Sequence, residues 1–458
     1  MKRTQIAPVV ERPDWHRIDD DTVVTRDKSG RAVSLFGDDA WNILAYTFTS
    51  RRTNIIFRSR SRDGTTRSLS ESSKRQWKQV MYFLMHEATD VAPAPSTLQA
   101  FAHSLKEFIL FSAERQLTLY QGLSDIEVVL DYAERVKLET GARRLYSILA
   151  KLHRLGVKTT GLRVPLVQLH KPLLERFAQR PGSEQYAVIP TRIYQHFLST
   201  CEHDLCIAEG VADELSHHLA RVYAGASPGV AKSLVKVAVY LGCRDSPYVV
   251  SSLVALIGAL CQLVILSFTG MRAMEAENLP YDCLGETRRD GVPHYTIEGI
   301  TTKLSGGRPK RACWVTGPLA ARAIRLAQRL SGEAHRSFGA PGYVQSKDGS
   351  HLLFCRMGLK HRYVPNRAVS TVHNSVETLR GRMFPTIELE DIAELKRVDM
   401  HRAWEDEPKY AVGQQWPFTR HQLRRSLALY AHRSGLVTLP TLKRQLQHIT
   451  QEMSMYYA

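Results

Sequence analysis

Leu263-Val264-Ile265-Leu266-Ser267-Phe268-Thr269-Gly270-Met271-Arg272-Ala273-Met274-Glu275-Ala276-Glu277-Asn278-Leu279 decides the fold, because an uncharged run leads straight into a segment that carries an arginine. Residues 246–271 hold no charged side chain at all, a stretch long enough to cross a membrane. Ser251, Ser252, Gln262 and Ser267 interrupt it, and the sequence has no second run of the kind. It therefore reads as the buried core helix of a globular domain. Just beyond it, Arg272 and Glu275 stand three residues apart, which taken alone is the spacing of an ordinary helical ion pair.

The surrounding chain is basic. Its 458 residues carry 62 Lys and Arg against 45 Asp and Glu, a net charge of +17, with ordinary globular composition. Three stretches contain no acid: 299–332, 349–376 and 408–451. They hold 18 of the basic residues, so the rest of the chain is close to neutral, with 44 basic and 45 acidic residues. A localised positive field is what a phosphate-binding face requires. Seven cysteines without paired spacing argue against a disulfide scaffold. Met1-Lys2-Arg3-Thr4-Gln5 lacks the apolar stretch of a secretory signal, and a reducing cytoplasm is the expected compartment.

Three regions are expected. Residues 1–70 read as a mixed extension, with a hairpin across 22–36 and a polar loop from Arg58 to Gly64. Residues 71–228 read as a helical domain. Apolar faces recur at Trp77, Val80, Met81 and Leu84, then at Leu98, Phe101, Leu105, Phe108 and Ile109. Two more follow, one opening at Ser124-Asp125 and one through Leu145, Ile148, Leu149 and Leu152 to a stop at Gly156. Further helices are expected over 193–198 and 215–222. Gly225-Ala226-Ser227-Pro228-Gly229 is the strongest linker signal and opens the third region, 229–458.

Within that third region a set of residues recurs in order. After Thr269-Gly270-Met271-Arg272 and Glu275 come Thr301-Thr302-Lys303 with Gly306-Gly307-Arg308, then His421-Gln422-Leu423-Arg424, Leu446-Gln447-His448 and Tyr457. This series resembles the tyrosine recombinase (phage integrase) family: a first arginine after a Thr-Gly turn, a β-hairpin lysine, a His-x-x-Arg motif, a second histidine, and a tyrosine nine residues later. The resemblance covers about 245–458. Two decoys lack the companions. Thr160-Gly161-Leu162-Arg163 is followed by Pro165 and has no Glu at the third position. His218-Leu219-Ala220-Arg221 has no histidine between it and His294.

The resemblance implies a mainly α fold with a small β component: a helical core-binding domain and a mixed α/β catalytic domain. It implies that Arg272 and Arg424 clamp the non-bridging oxygens of a DNA phosphodiester with planar donor forks. Tyr457 would be the nucleophile, forming a covalent 3′-phosphotyrosine. Lys303 would protonate the leaving 5′-oxygen, and His421 and His448 would hydrogen-bond the phosphate. Glu275 would buttress Arg272. No cofactor and no metal are required, since the cationic side chains take that part. The partners implied are double-stranded DNA, three further copies in a tetramer on DNA, and accessory DNA-binding proteins; no membrane is expected. The setting implied is a mobile element or prophage in a bacterial cytoplasm.

The chain departs from the family pattern in two places. Gln447 stands where glycine is usual, and Tyr456 adjoins Tyr457, about 100° away if the segment is helical. The competing enzyme reading is DNA relaxation of the type IB topoisomerase kind, and the non-enzyme reading is a DNA-binding relative with a decayed site. His196, Cys201, His203 and Cys206 match no standard zinc spacing. The absence of a Gly-x-x-x-x-Gly-Lys-Ser/Thr loop disfavours an ATP-driven motor.

Overall fold

The computed structural model describes residues 18–27, 29–43, 54–57, 69–86, 93–136, 139–179, 185–243, 248–301, 310–338, 351–356, 364–368 and 372–447. The chain divides into two units, 1–184 and 185–458, mainly helical with small antiparallel sheets.

In the first unit β1 (Val23–Arg26) pairs with β2 (Ala32–Leu35), the expected hairpin, and β3 (Ala40–Asn42) pairs with β4 (Asn54–Ile56). The helices are α1 (Glu71–His86), α2 (Pro95–Ala113), α3 (Leu119–Ser124), α4 (Ile126–Arg135), α5 (Glu139–Leu155), α6 (Val157–Thr160) and α7 (Leu166–Gln179). The apolar faces expected for α1, α2 and α5 are buried. Asp125 caps α4 by accepting the N–H groups of Glu127 and Val128. The expected extension 1–70 is not separate from the helices. Trp41 meets Phe57 edge-on at 4.5 Å between ring centroids, and Phe57 meets Trp77 of α1 at 5.1 Å, so strands and helices share one core. The Arg58–Gly64 loop lies outside the described residues.

The second unit opens with α8 (Thr191–Gly210), α9 (Ala212–Tyr223), α10 (Lys232–Tyr240), α11 (Val249–Thr269) and the short α12 (Ala273–Glu277). A three-stranded antiparallel sheet follows, β5 (Leu284–Arg289), β6 (Val292–Thr301) and β7 (Lys310–Thr316). Then come α13 (Pro318–Phe338), the paired β8 (Cys355–Arg356) and β9 (Val364–Ala368), α14 (Val372–Met383), α15 (Leu389–Val398), α16 (Arg420–Arg433) and α17 (Leu439–Gln445). α11 is the uncharged run, and it lies inside the core as expected. Each of its buried Leu, Ile and Val side chains contributes roughly 1.5–3 kcal/mol. In β6 the inward positions alternate strictly, Tyr295, Ile297, Gly299 and Thr301, with Ile297 opposite the buried Trp314 of β7.

The boundary expected at 228/229 falls instead at 184/185. Ile193, Phe197, Leu205, Leu215 and Leu219 of α8 and α9 belong to the core built on α11. The Gly-rich stretch is a helix ending: Gly225 has φ +86° and Ala226 N–H donates to the Arg221 carbonyl at 2.9 Å. Chain composition reports such a turn faithfully but says nothing about whether packing continues across it.

Polar ties hold α8 to the rest of this unit. Asp204, fully buried, accepts from Arg382 of α14 at 2.8 Å and from the Tyr240 hydroxyl at 3.1 Å. Arg382 keeps 29% of its side-chain exposure, so its removal is the change that strands a charge, the fully buried Asp204, at about 3–5 kcal/mol. Arg382→Met is therefore expected to lower the unfolding free energy by that order in urea melts. The double variant Asp204→Ala/Arg382→Met should recover most of the loss, and no recovery would refute the pairing as the cause.

Candidate active site

The C-terminal end of α11 sets the first arginine. Gly270 adopts φ +64°, and its N–H closes the helix on the Leu266 carbonyl at 3.0 Å. Thr269 turns its hydroxyl back onto the Ile265 carbonyl at 2.6 Å and receives the Met271 N–H at 3.2 Å. The left-handed turn redirects the chain so that Arg272 stands just before α12 and not within it. Glu275 then takes two bonds from Arg272: its backbone N–H at 2.6 Å and its guanidinium Nη1 at 2.9 Å. The Glu275 oxygen that holds the guanidinium also accepts the Thr301 hydroxyl at 2.6 Å. Glu275 thus joins the arginine to the inward face at the end of β6.

Arg424 of α16 is 1% exposed. Its Nη1 donates to the Gly270 carbonyl at 2.5 Å and its Nη2 to the Leu446 carbonyl at 2.6 Å. One guanidinium therefore ties the turn that carries Arg272 to the chain entering Leu446-Gln447-His448. Gln445 adds a second tie, its amide donating to the Thr269 and Val315 carbonyls at 2.9 Å each. Gln447 adopts φ +54°, the conformation for which glycine is usual, and its amide donates to the Cys313 carbonyl at 3.1 Å.

His421 stands at the first turn of α16, its ring 4.9 Å from that of Tyr186. Gln422 caps the start of this helix, its side-chain oxygen accepting the Thr419 N–H at 2.8 Å. Four of the residues singled out from sequence, Arg272, Glu275, His421 and Arg424, are thus placed on two segments bonded to each other. Lys303, His448 and Tyr457 lie outside the described residues, as does Tyr456. Tyr430 of α16 is no substitute nucleophile: its hydroxyl donates to the Ile189 carbonyl at 2.6 Å, and burial pushes its phenol well above the usual tyrosine range.

Three features escaped the sequence reading. Thr301 is one, two residues before Lys303 and marked by its place on the inward period of β6. Arg420 donates to the fully buried Glu277 at 2.7 Å, a pairing across 143 residues that no local pattern announces. The third is the charge map. Within 299–332, Arg322 pairs with Glu209, Arg325 with Glu286 and Arg329 with Asp213, so an acid-free sequence window is partly neutralised in space. Conversely, residues 140–174 are also acid-free and carry seven basic residues. Arg143, Arg144, Lys151 and Arg154 fall within one 100° arc of α5, away from its buried face. Among the described residues Arg144, Lys151 and Arg154 have no carboxylate partner. The candidate zinc residues turn to separate surroundings: Cys201 to the core, Cys206 to Arg322 and His196 to the Arg382 carbonyl.

No family model and no curated protein matches the chain. Solved structures similar to it include the XerH site-specific recombinase bound to difH substrate, at 15% identity over 85% of this chain and 94% of that one, with a TM-score of 0.41. Another is the Tn1549 transposon integrase in complex with circular intermediate DNA, at 14% identity over 83% and 94%, with a TM-score of 0.42.

Arg424→Lys is expected to cost about 1.5–3 kcal/mol in chemical denaturation, because a single ammonium cannot span both carbonyls as a planar fork does. Arg272→Lys, whose partner is one carboxylate at the edge of the site, should cost less. Equal stability of Arg424→Lys and wild type would refute the bridging role.

Proposed function

We propose that the chain is a site-specific DNA recombinase of the tyrosine recombinase family, cutting and rejoining strands through a covalent 3′-phosphotyrosyl intermediate. The observation that carries this reading is the Arg424 bridge. It supports the reading because it bonds the turn before Arg272 and the chain at Leu446 to the helix that carries His421. An alternative in which the motifs are unrelated surface features gives no reason for a buried guanidinium to join them.

Attack by the Tyr457 oxygen on the phosphorus forms an O–P bond and breaks the bond to the 5′-oxygen, the phenolic proton passing to His421 or to solvent. Negative charge grows on the non-bridging oxygens, where Arg272 and Arg424 would act as donors aimed in advance. Loss of one such donor typically costs about 3–4 kcal/mol of transition-state stabilisation. Lys303 would give its proton to the departing 5′-oxygen, while His421 and His448 would hydrogen-bond the phosphate. The phosphotyrosine keeps the phosphodiester energy, so the reverse attack by a 5′-hydroxyl rejoins DNA without ATP. Double-stranded DNA is the partner, with the basic stripe of α5 suited to its backbone. Four copies would act on two duplexes, in the service of a mobile element or prophage.

A nicked suicide duplex provides the test, built on the junction sequence recovered when the protein acts on the DNA flanking its own coding sequence. Wild type should form a covalent adduct, and Tyr457→Phe should bind the duplex and form none. An adduct that persists in Tyr457→Phe but disappears in Tyr456→Phe moves the nucleophile by one residue. Relaxation of supercoiled DNA of any sequence, without recombinant junctions, would favour the topoisomerase reading. Lys303→Ala should slow cleavage on the order of 100-fold or more for an oxygen leaving group and far less for a 5′-bridging thiolate. An equal loss on both substrates would remove Lys303 from the acid role.

A further inference from the structure

α16 is attached to the Arg272 segment at two points. Arg424 holds the Gly270 carbonyl on one side of Arg272, and Arg420 holds the carboxylate of Glu277 on the other at 2.7 Å. Residues 420 and 424 are one helical turn apart and lie on the same face. Tyr430 and Ser426 tie the later turns of α16 to Ile189, and the Arg420 and Arg424 bonds fix its first turn against the Arg272 segment. His421 follows Arg420 by one residue, about 100° around the helix. The Arg420–Glu277 pair therefore acts on the turn that carries His421 and on its direction relative to Arg272. A fully buried carboxylate is costly unless it is paired, and Glu277 is 0% exposed, whereas Arg420 retains 24% of its side-chain exposure.

We propose that Glu277 and Arg420 are positioning residues for His421, holding the imidazole in register with the Arg272 guanidinium for work on the phosphate. The proposal rests on the recombinase reading above. Glu277 is itself closed to solvent and so acts on DNA only through α16.

The test is single-turnover cleavage of the nicked duplex, with DNA affinity and melting temperature measured alongside. Glu277→Gln should slow cleavage about tenfold with unchanged DNA affinity. In a His421→Ala background the same change should cost less than twofold, because the group it positions is gone. A loss of similar size in both backgrounds, or no loss in either, overturns the proposal. Should Glu277→Gln fail to fold, Arg420→Met, at the more exposed end of the pair, is read in the same cycle with the same expectations. The recombinase reading fails separately, and visibly, when wild type forms no covalent adduct or when His421→Ala cleaves as fast as wild type.

Discussion

A buried guanidinium holding two backbone carbonyls is the constraint on which this site depends. Taking Arg424 out of water costs several kcal/mol unless its donors are satisfied. Here two of them meet the carbonyls of Gly270 and Leu446, residues 154 and 22 positions away in sequence. Those carbonyls in turn have little other choice. Gly270 lies past the last turn of α11, where helical carbonyls lose their intrahelical donors, and Leu446 does the same past α17. The arginine therefore completes two helix ends at once, and that is why its removal would reach well beyond its own contacts.

The rest of the second unit can be read as what delivers Gly270 to that arginine. α11 needs its uncharged length because it crosses the core and is packed by α8, α13, α14 and α16. The residue that follows it must be a glycine, since a Cβ on Gly270 would come within 2.8 Å of Leu446 and 3.0 Å of Leu427, in a conformation that L side chains rarely adopt. The close approach and the positive φ have a common origin: the chain must turn sharply to send Arg272 away from the core. Glu275 then completes the turn by holding the backbone and the guanidinium of Arg272 together, and Thr301 brings the end of β6 to the same carboxylate.

Sequence made the ends of this arrangement legible and left its middle dark. Arg272, Glu275, His421 and Arg424 were recognisable because chemistry restricts their types and helix geometry restricts their spacing. The core helix was recognisable because 26 uncharged residues with scattered serines have few other uses in a chain with no second such run. The domain boundary was not. Glycine and proline report where a backbone turns, and the packing of α8 and α9 onto α11 depends on long-range partners such as Asp204 with Arg382. Glu277 with Arg420 escaped for the same reason, since neither residue has a local signature. Gln447 was read as a departure from glycine, and its φ of +54° explains why glycine would suit the position.

Charge is where sequence and space diverge most. Acid-free windows were expected to mark the DNA-facing field, yet a window is one-dimensional and counter-charges arrive from elsewhere. Arg322, Arg325 and Arg329 are met by carboxylates of α8, β5 and α9, and Arg420 by Glu277. Their fields are spent locally, in holding the unit together. Much of the acid in 388–407 is similarly committed, with Arg192 held by Glu388, Glu390 and Asp391, and Glu407 held by Arg402 and Lys409. What remains to act at a distance is basic charge without a carboxylate beside it, as on the α5 stripe at Arg144, Lys151 and Arg154. A field of that kind neutralises phosphates and is screened within about 8 Å at physiological salt. On the proposed reading it would hold a DNA backbone against the first unit but could not by itself align a scissile phosphate. Alignment needs groups fixed to better than an ångström, and on the proposed recombinase reading that task would fall to the short, buried bonds around Arg272 and Arg424.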